Sequence, residues 1–104
     1  MGEVRVRAAR GAIHVDDDTV SSLLSATERL LAQLLERNEV AAEDIVSAFF
    51  TVTDDLRSAF PAEAARRMGL GRVPLLCAQE IPVEGSMRGV IRVLIGEHFA
   101  ESDL

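Results

Sequence analysis

The 104-residue chain is 48% apolar and 27% charged with a formal net charge of -6, the balance of one globular domain with a single modest core. An acidic composition without Trp or Tyr excludes the basic, aromatic-studded face that nucleic acids require, and no apolar run is long enough to span a membrane. One cysteine, Cys77, excludes an internal disulfide, and with only His14 and His98 beside it no metal-ligand spacing arises, so no structural metal is expected.

The opening MGEVRVRAAR is positively charged but has no apolar stretch behind it, so no secretory signal is expected and a cytoplasmic location is. Within it, Val4, Val6 and Ala8 alternate with Arg5 and Arg7, the period of a strand whose arginine face is wet, and Arg10-Gly11 is expected to end it. After AIHV, Asp18 is placed to cap a helix whose Leu23, Leu24, Leu30, Leu31, Leu34 and Leu35 recur at helical spacing up to Asn38. AAEDI reads as a single turn, and IVSAFFTVT from Ile45 as a nearly all-apolar central strand. Pro61 opens a second helix carrying Glu63, Arg66 and Arg67, which Gly69 or Gly71 ends. RVPLLCAQ gives a third strand, PVEGSMRG a turn and VIRVLIGEHF a fourth strand, followed by the polar end AESDL. The order β-α-β-α-β-β predicts one α/β (α+β) domain over 1–104, a mixed sheet with helices packed on it.

Four polar residues sit among apolar neighbours or at a strand end: Arg10, Arg66, Glu80 and Arg92. Glu80 closes PLLCAQE, and an unpaired carboxylate there costs several kcal/mol, roughly, so it is either paired with an arginine or reserved for a ligand. Arg92 interrupts five aliphatic residues and reads either as an outward-facing strand residue or as a site residue. Arg66 reads as a solvated helix face or an anion site, and Arg10 as a turn or an anion site. All eleven cations are Arg, which reads first as the codon bias of a G/C-rich genome and second as a choice of planar forks that suit carboxylates. Cys77 has no histidine in its motif to activate it, which rejects covalent catalysis, and the Asp16 to Asp18 run reads as solvated capping acids. The residues alone reach a pocket with several Arg and one Glu.

The blocks RGAIHV, FTVTDDLRSAFPAEAAR, VPLLCAQE and VIRVL, nearly collinear from about Arg7 to Leu94, resemble the trimeric α/β (AroH) class of monofunctional chorismate mutase. The resemblance implies a homotrimer closed into a pseudo-barrel, with sites between subunits and chorismate as the small-molecule substrate. It implies the rearrangement of chorismate to prephenate, on the route to phenylalanine and tyrosine, with no cofactor. Arg92 matches the family cation that meets the ether oxygen, Glu80 the carboxylate that accepts from the ring hydroxyl, and Arg10 an arginine that binds a substrate carboxylate. Arg66 matches an arginine at the pocket mouth and Cys77 a position that contacts the hydroxyl through its backbone. Phe60, Ala62, Leu75 and Leu76 match positions that wall the pocket. The Phe60 to Cys77 set is implied to come from the neighbouring subunit.

Three departures from the family pattern stand out. GEHFAESDL does not align with the family tail, which supplies a Tyr and a further Arg; Glu63 stands where many relatives have Lys; and Leu76 occupies a position that is often polar. The expected consequence is weaker substrate affinity with turnover largely kept, with Arg67 or Arg88 as partial compensation. The alternatives are a non-catalytic small-molecule-binding or regulatory homotrimer of the same fold, and an enzyme on the similar trimeric fold of the imine deaminases. Retention of Arg10, Glu80 and Arg92 speaks against the first, and the VPLLCAQE and VIRV blocks against the second.

Overall fold

The computed structural model describes residues 4–100. Strand β1 (Val4–His14) leads to helix α1 (Val20–Arg37), a 3-10 turn at Ala42–Asp44, strand β2 (Ile45–Val52), helix α2 (Ala62–Arg67), strand β3 (Leu75–Gln79) and strand β4 (Val90–Ala100). The sheet order is β1-β4-β2-β3. β4 runs antiparallel to both neighbours, and β2 and β3 are parallel, so the return between them needs a crossover, which α2 supplies. The expected mixed sheet in β-α-β-α-β-β order is what forms.

One face of the sheet is the core. Leu23, Leu31, Ala64 and Ala65 from the helices join Phe50, Ile91, Val93 and Ile95 from the central strands in one buried cluster. Alternation along β2 and β4 sends the intervening side chains to the other face, which neither helix covers. There Val6, Phe49, Leu76 and Leu94 remain 65%, 46%, 58% and 46% exposed. Among the described residues no helix is long and apolar enough to cross a membrane.

Several expectations need correction. Arg10-Gly11 does not end β1, which continues to His14: a Cβ at Gly11 would lie 3.0 Å from Leu30 Cδ1, so the glycine admits α1 against the strand instead of breaking it. The two faces of β1 are also reversed. Val6 and Ala8 are exposed on the open face, whereas Arg7 turns towards α1, pairs with the buried Glu97 and donates to the Asn38 carbonyl at 3.0 Å. Asp18 does not cap α1; Thr19 does, its hydroxyl accepting from Ser22 N at 3.1 Å. β3 starts only at Leu75, after Pro74, which has no N–H to donate but whose carbonyl accepts from Ala48 N at 3.0 Å. The end of α2 is as expected, and of the two glycines offered it is Gly69, at φ 90°, that follows it. Gly96 to Ala100 pair with β1 as the end of β4, and the last four residues of the polar end lie outside the described residues.

Candidate active site

The ladder brings the charged residues together. In β4, Arg92 lies between the buried Ile91 and Val93, so the pleat sends its side chain to the open face. Its register partners are Ala12 on β1 and Thr51 on β2, and Thr51 in turn faces Ala78 on β3. The adjacent row reads Arg10, Leu94, Phe49, Leu76. Arg10 and Arg92 are thus diagonal neighbours on one surface.

Glu80 extends β3 by one residue, its N–H donating to Val52 O at 2.9 Å. Its part-buried carboxylate accepts from Arg92 Nε at 3.0 and 3.2 Å and from Thr51 Oγ1 at 2.7 Å. The strand ends on a carboxylate because Arg92 is there to offset its charge. Among the described residues neither Nη of Arg92 meets an acceptor. Arg10 does not share in offsetting Glu80: it makes no ion pair among the described residues and sits one strand further away, on β1.

Two adjoining depressions share Arg92. One of about 700 Å³ is lined by Arg10, Phe49, Thr51 and Leu94 as well as Arg92. The other, about 340 Å³, runs from Glu80 and Arg92 along the β3–β4 loop to Arg88. Arg88 pairs with Asp54 at 3.3 Å and Arg67 with Glu63 at 3.5 Å, so each of the expected compensating cations already has an acidic partner. Among the described residues no cluster of His, Cys, Asp or Glu could hold a metal ion.

The remaining predicted site residues lie at α2 and along β3. Phe60 is exposed just before α2, and Arg66 is exposed on α2 and pairs with Glu63 at 3.3 Å. Leu76 lies on the open face beside Phe49. Ala62 is buried in the core of its own chain, and Leu75 and Cys77 are partly buried against that core. On β3, alternation gives the open face to Leu76 and turns Leu75 and Cys77 towards the helices.

The loop leading to Phe60 is tied down by two carboxylates. Asp18 accepts from Arg57 N at 2.9 Å and Ser58 N at 3.0 Å, and Asp55 from Gly89 N at 3.2 Å. The nearby Ser58 hydroxyl, although it completes no well-aligned bond, and then the Arg57 N–H hold Asp18 below the ordinary 3.8. The Thr53 hydroxyl and then, against partial desolvation, the Gly89 N–H do the same for Asp55.

Thr51 is the residue that sequence reasoning missed. The available signal was a hydroxyl on the same alternating face as Phe49, within an otherwise apolar strand. Linking it to Glu80 and Arg92 requires the register.

The chain matches the family model for chorismate mutase type I over residues 6–103. It is 54% identical over 90 residues to a chorismate mutase AroH of Thermus thermophilus, covering 86% of this chain and 74% of that protein. It is 38% identical over 91 residues to the chorismate mutase AroH of Bacillus subtilis, covering 86% and 72%. The fold superposes on a chorismate mutase from Clostridium thermocellum with a TM-score of 0.85 at 42% identity, covering 94% of this chain and 85% of that one. With the match spanning the whole β-α-β-α-β-β unit and the arginine–glutamate pair inside it, the chain belongs to the chorismate mutase type I family.

Proposed function

We infer that this chorismate mutase rearranges chorismate to prephenate at the Arg92–Glu80 pair on the open sheet face. The reaction is internal to one molecule: the ether carbon–oxygen bond breaks, a carbon–carbon bond forms, and no proton or electron leaves. The protein's part is to hold a flexible dicarboxylate in its folded conformer and to aim fixed charges at the polarised transition state. Arg92 donates to the ether oxygen, where negative charge grows. Glu80 accepts from the ring hydroxyl and faces the positive ring. Arg10 takes a substrate carboxylate.

The observation that carries this reading is the holding of Arg92 through its Nε alone, at 3.0 Å from Glu80, which leaves the rest of its fork to a ligand. A non-catalytic binding role is not favoured, because such a role has no need of a carboxylate and a cation set on the same edge.

The site is completed by a neighbouring chain in a homotrimer. Support comes from the uncovered row of Phe49, Leu76 and Leu94, an apolar surface that a monomer rarely leaves to water. It comes also from Phe60 and Arg66, which line neither of the two depressions at Arg92. In the assembly Phe60, Ala62, Leu75 and Leu76 would wall the site against water, strengthening the charges inside, with the Cys77 backbone at the ring hydroxyl and Arg66 at the mouth. The expected cytoplasmic location rests on the sequence alone.

The test is the loss of chorismate absorbance with prephenate identified as product, for the native chain and Arg92→Ala. Turnover by the native chain that falls at least about a hundredfold in the variant is expected. Equal rates would sink the assignment of the site.

A further inference from the structure

We propose that Thr51 is a positioning residue that fixes the Glu80 carboxylate for the reaction; the inference rests on Glu80 being the acceptor of the ring hydroxyl. Glu80 stands one residue beyond β3, and the chain after it leaves the sheet with Ile81 and Val83 exposed. Its side chain is part-buried at the strand end, and its polar contacts define where the carboxylate lies. Two groups hold it: Arg92 Nε, at 3.0 and 3.2 Å, and Thr51 Oγ1, at 2.7 Å.

The two holders are not equivalent. Arg92 is the cation that meets the substrate, so its hold on Glu80 competes with ligand for the same guanidinium. Thr51 has no such second duty. Its hydroxyl sits in the centre of the sheet, directly opposite Arg92 in the β2–β4 register, and a β-branched side chain in a strand has a restricted χ1. The hydroxyl is thus a rigid donor to one oxygen, Oε2. The Arg92 Nε is shared between both oxygens, so the Thr51 bond selects which way the carboxylate lies. A hydrogen bond to a charged acceptor is also stronger than one between neutral groups.

Thr51→Val keeps the shape and the strand preference but removes the donor. Thr51→Ser keeps the donor. Each is measured alone, and Thr51→Val also in a Glu80→Ala background, with kcat and KM from chorismate consumption and a thermal melt for each protein. Thr51→Val is expected to melt like the parent and lower kcat about tenfold with KM within about twofold, the loss of one charge-assisted hydrogen bond that matters at the transition state. Thr51→Ser is expected to restore most of kcat. In the Glu80→Ala background, Thr51→Val is expected to cost nothing further. An unchanged kcat in Thr51→Val, a Thr51→Ser variant as slow as Thr51→Val, or an undiminished Thr51→Val effect without Glu80 would each overturn the inference. If Glu80→Ala itself turns over at the parent rate, the site reading falls, and the positioning role falls with it.

Discussion

Arg7 and Glu97 stand opposite each other across the β1–β4 ladder, and the guanidinium that reaches the Glu97 carboxylate also lies over the Phe99 ring at 4.7 Å. The pair is asymmetric, with the Arg7 side chain 39% exposed and that of Glu97 only 4%. Removing the arginine leaves a sealed carboxylate without its partner, whereas removing the glutamate leaves a cation that water can reach. Arg7→Ala is therefore expected to cost about 3 kcal/mol of stability, and Glu97→Ala clearly less. Urea midpoints of the two variants provide the check; an equal or reversed order would contradict the asymmetry.

The same pair marks where the sequence is legible and where it is not. The period of two in VRVRA is plain, yet its sense is inverted, because alternation cannot tell whether the apolar side meets helices of the same chain or another surface. In α1 the leucine spacing is enough, since Leu23, Leu31 and Leu34 all face one core. Its cap is not: Asp18 and Thr19 are both good capping residues, and what diverts Asp18 is the Arg57–Ser58 backbone, far along the chain. Arg92 and Glu80 are visible as charges in apolar settings, so an ion pair between them is among the readings that pattern alone leaves open. The Thr51 bond to Glu80 and the placing of Arg10 one strand beyond Arg92 depend on strand register, which no local pattern contains.

Arg92 and Arg10 should fail in different ways. Arg92→Lys keeps the charge but loses the planar fork that bonds Glu80 through Nε and a ligand through Nη, so kcat is expected to fall about a hundredfold or more. Arg10→Ala removes a charged contact made in ground state and transition state alike, so KM should rise about tenfold or more with kcat mostly kept. Steady-state curves for both variants decide it. A pure KM effect for Arg92→Lys would remove that arginine from the transition state.

Phe49 pairs with Leu94 on one side and Leu76 on the other, the middle of the uncovered apolar row. A charge there meets water in a lone chain and a dry contact in an assembly. Phe49→Asp is thus expected to leave the chain folded by circular dichroism while lowering its sedimentation mass from three chains of 11.3 kDa each to one, with turnover lost at the same time. A native chain that already sediments as a monomer, yet turns over, would reject the shared site.

Acid should loosen the loop that carries Phe60 before it unfolds the core. Asp18, favoured as a carboxylate by the Ser58 hydroxyl and the Arg57 N–H, and Asp55, favoured by the Thr53 hydroxyl and the Gly89 N–H, both have acidities shifted below 3.8. A carboxyl whose folded value is depressed contributes stability that is fully present above its unfolded value, about pH 4, and is lost as pH falls through the folded value. Aspartate-to-asparagine changes keep an acceptor oxygen but remove the titration. Relative to Asp18→Asn/Asp55→Asn, the parent is expected to lose urea midpoint more steeply below about pH 4, with the two curves parallel near neutrality. Because these ties hold the segment before α2, the protection of the Arg57, Ser58 and Gly89 amides from exchange, taken relative to the intrinsic rate at each pH, should fall in the parent over the same acid range. Parallel curves throughout that range would mean that the two aspartates do not anchor the loop through their charge.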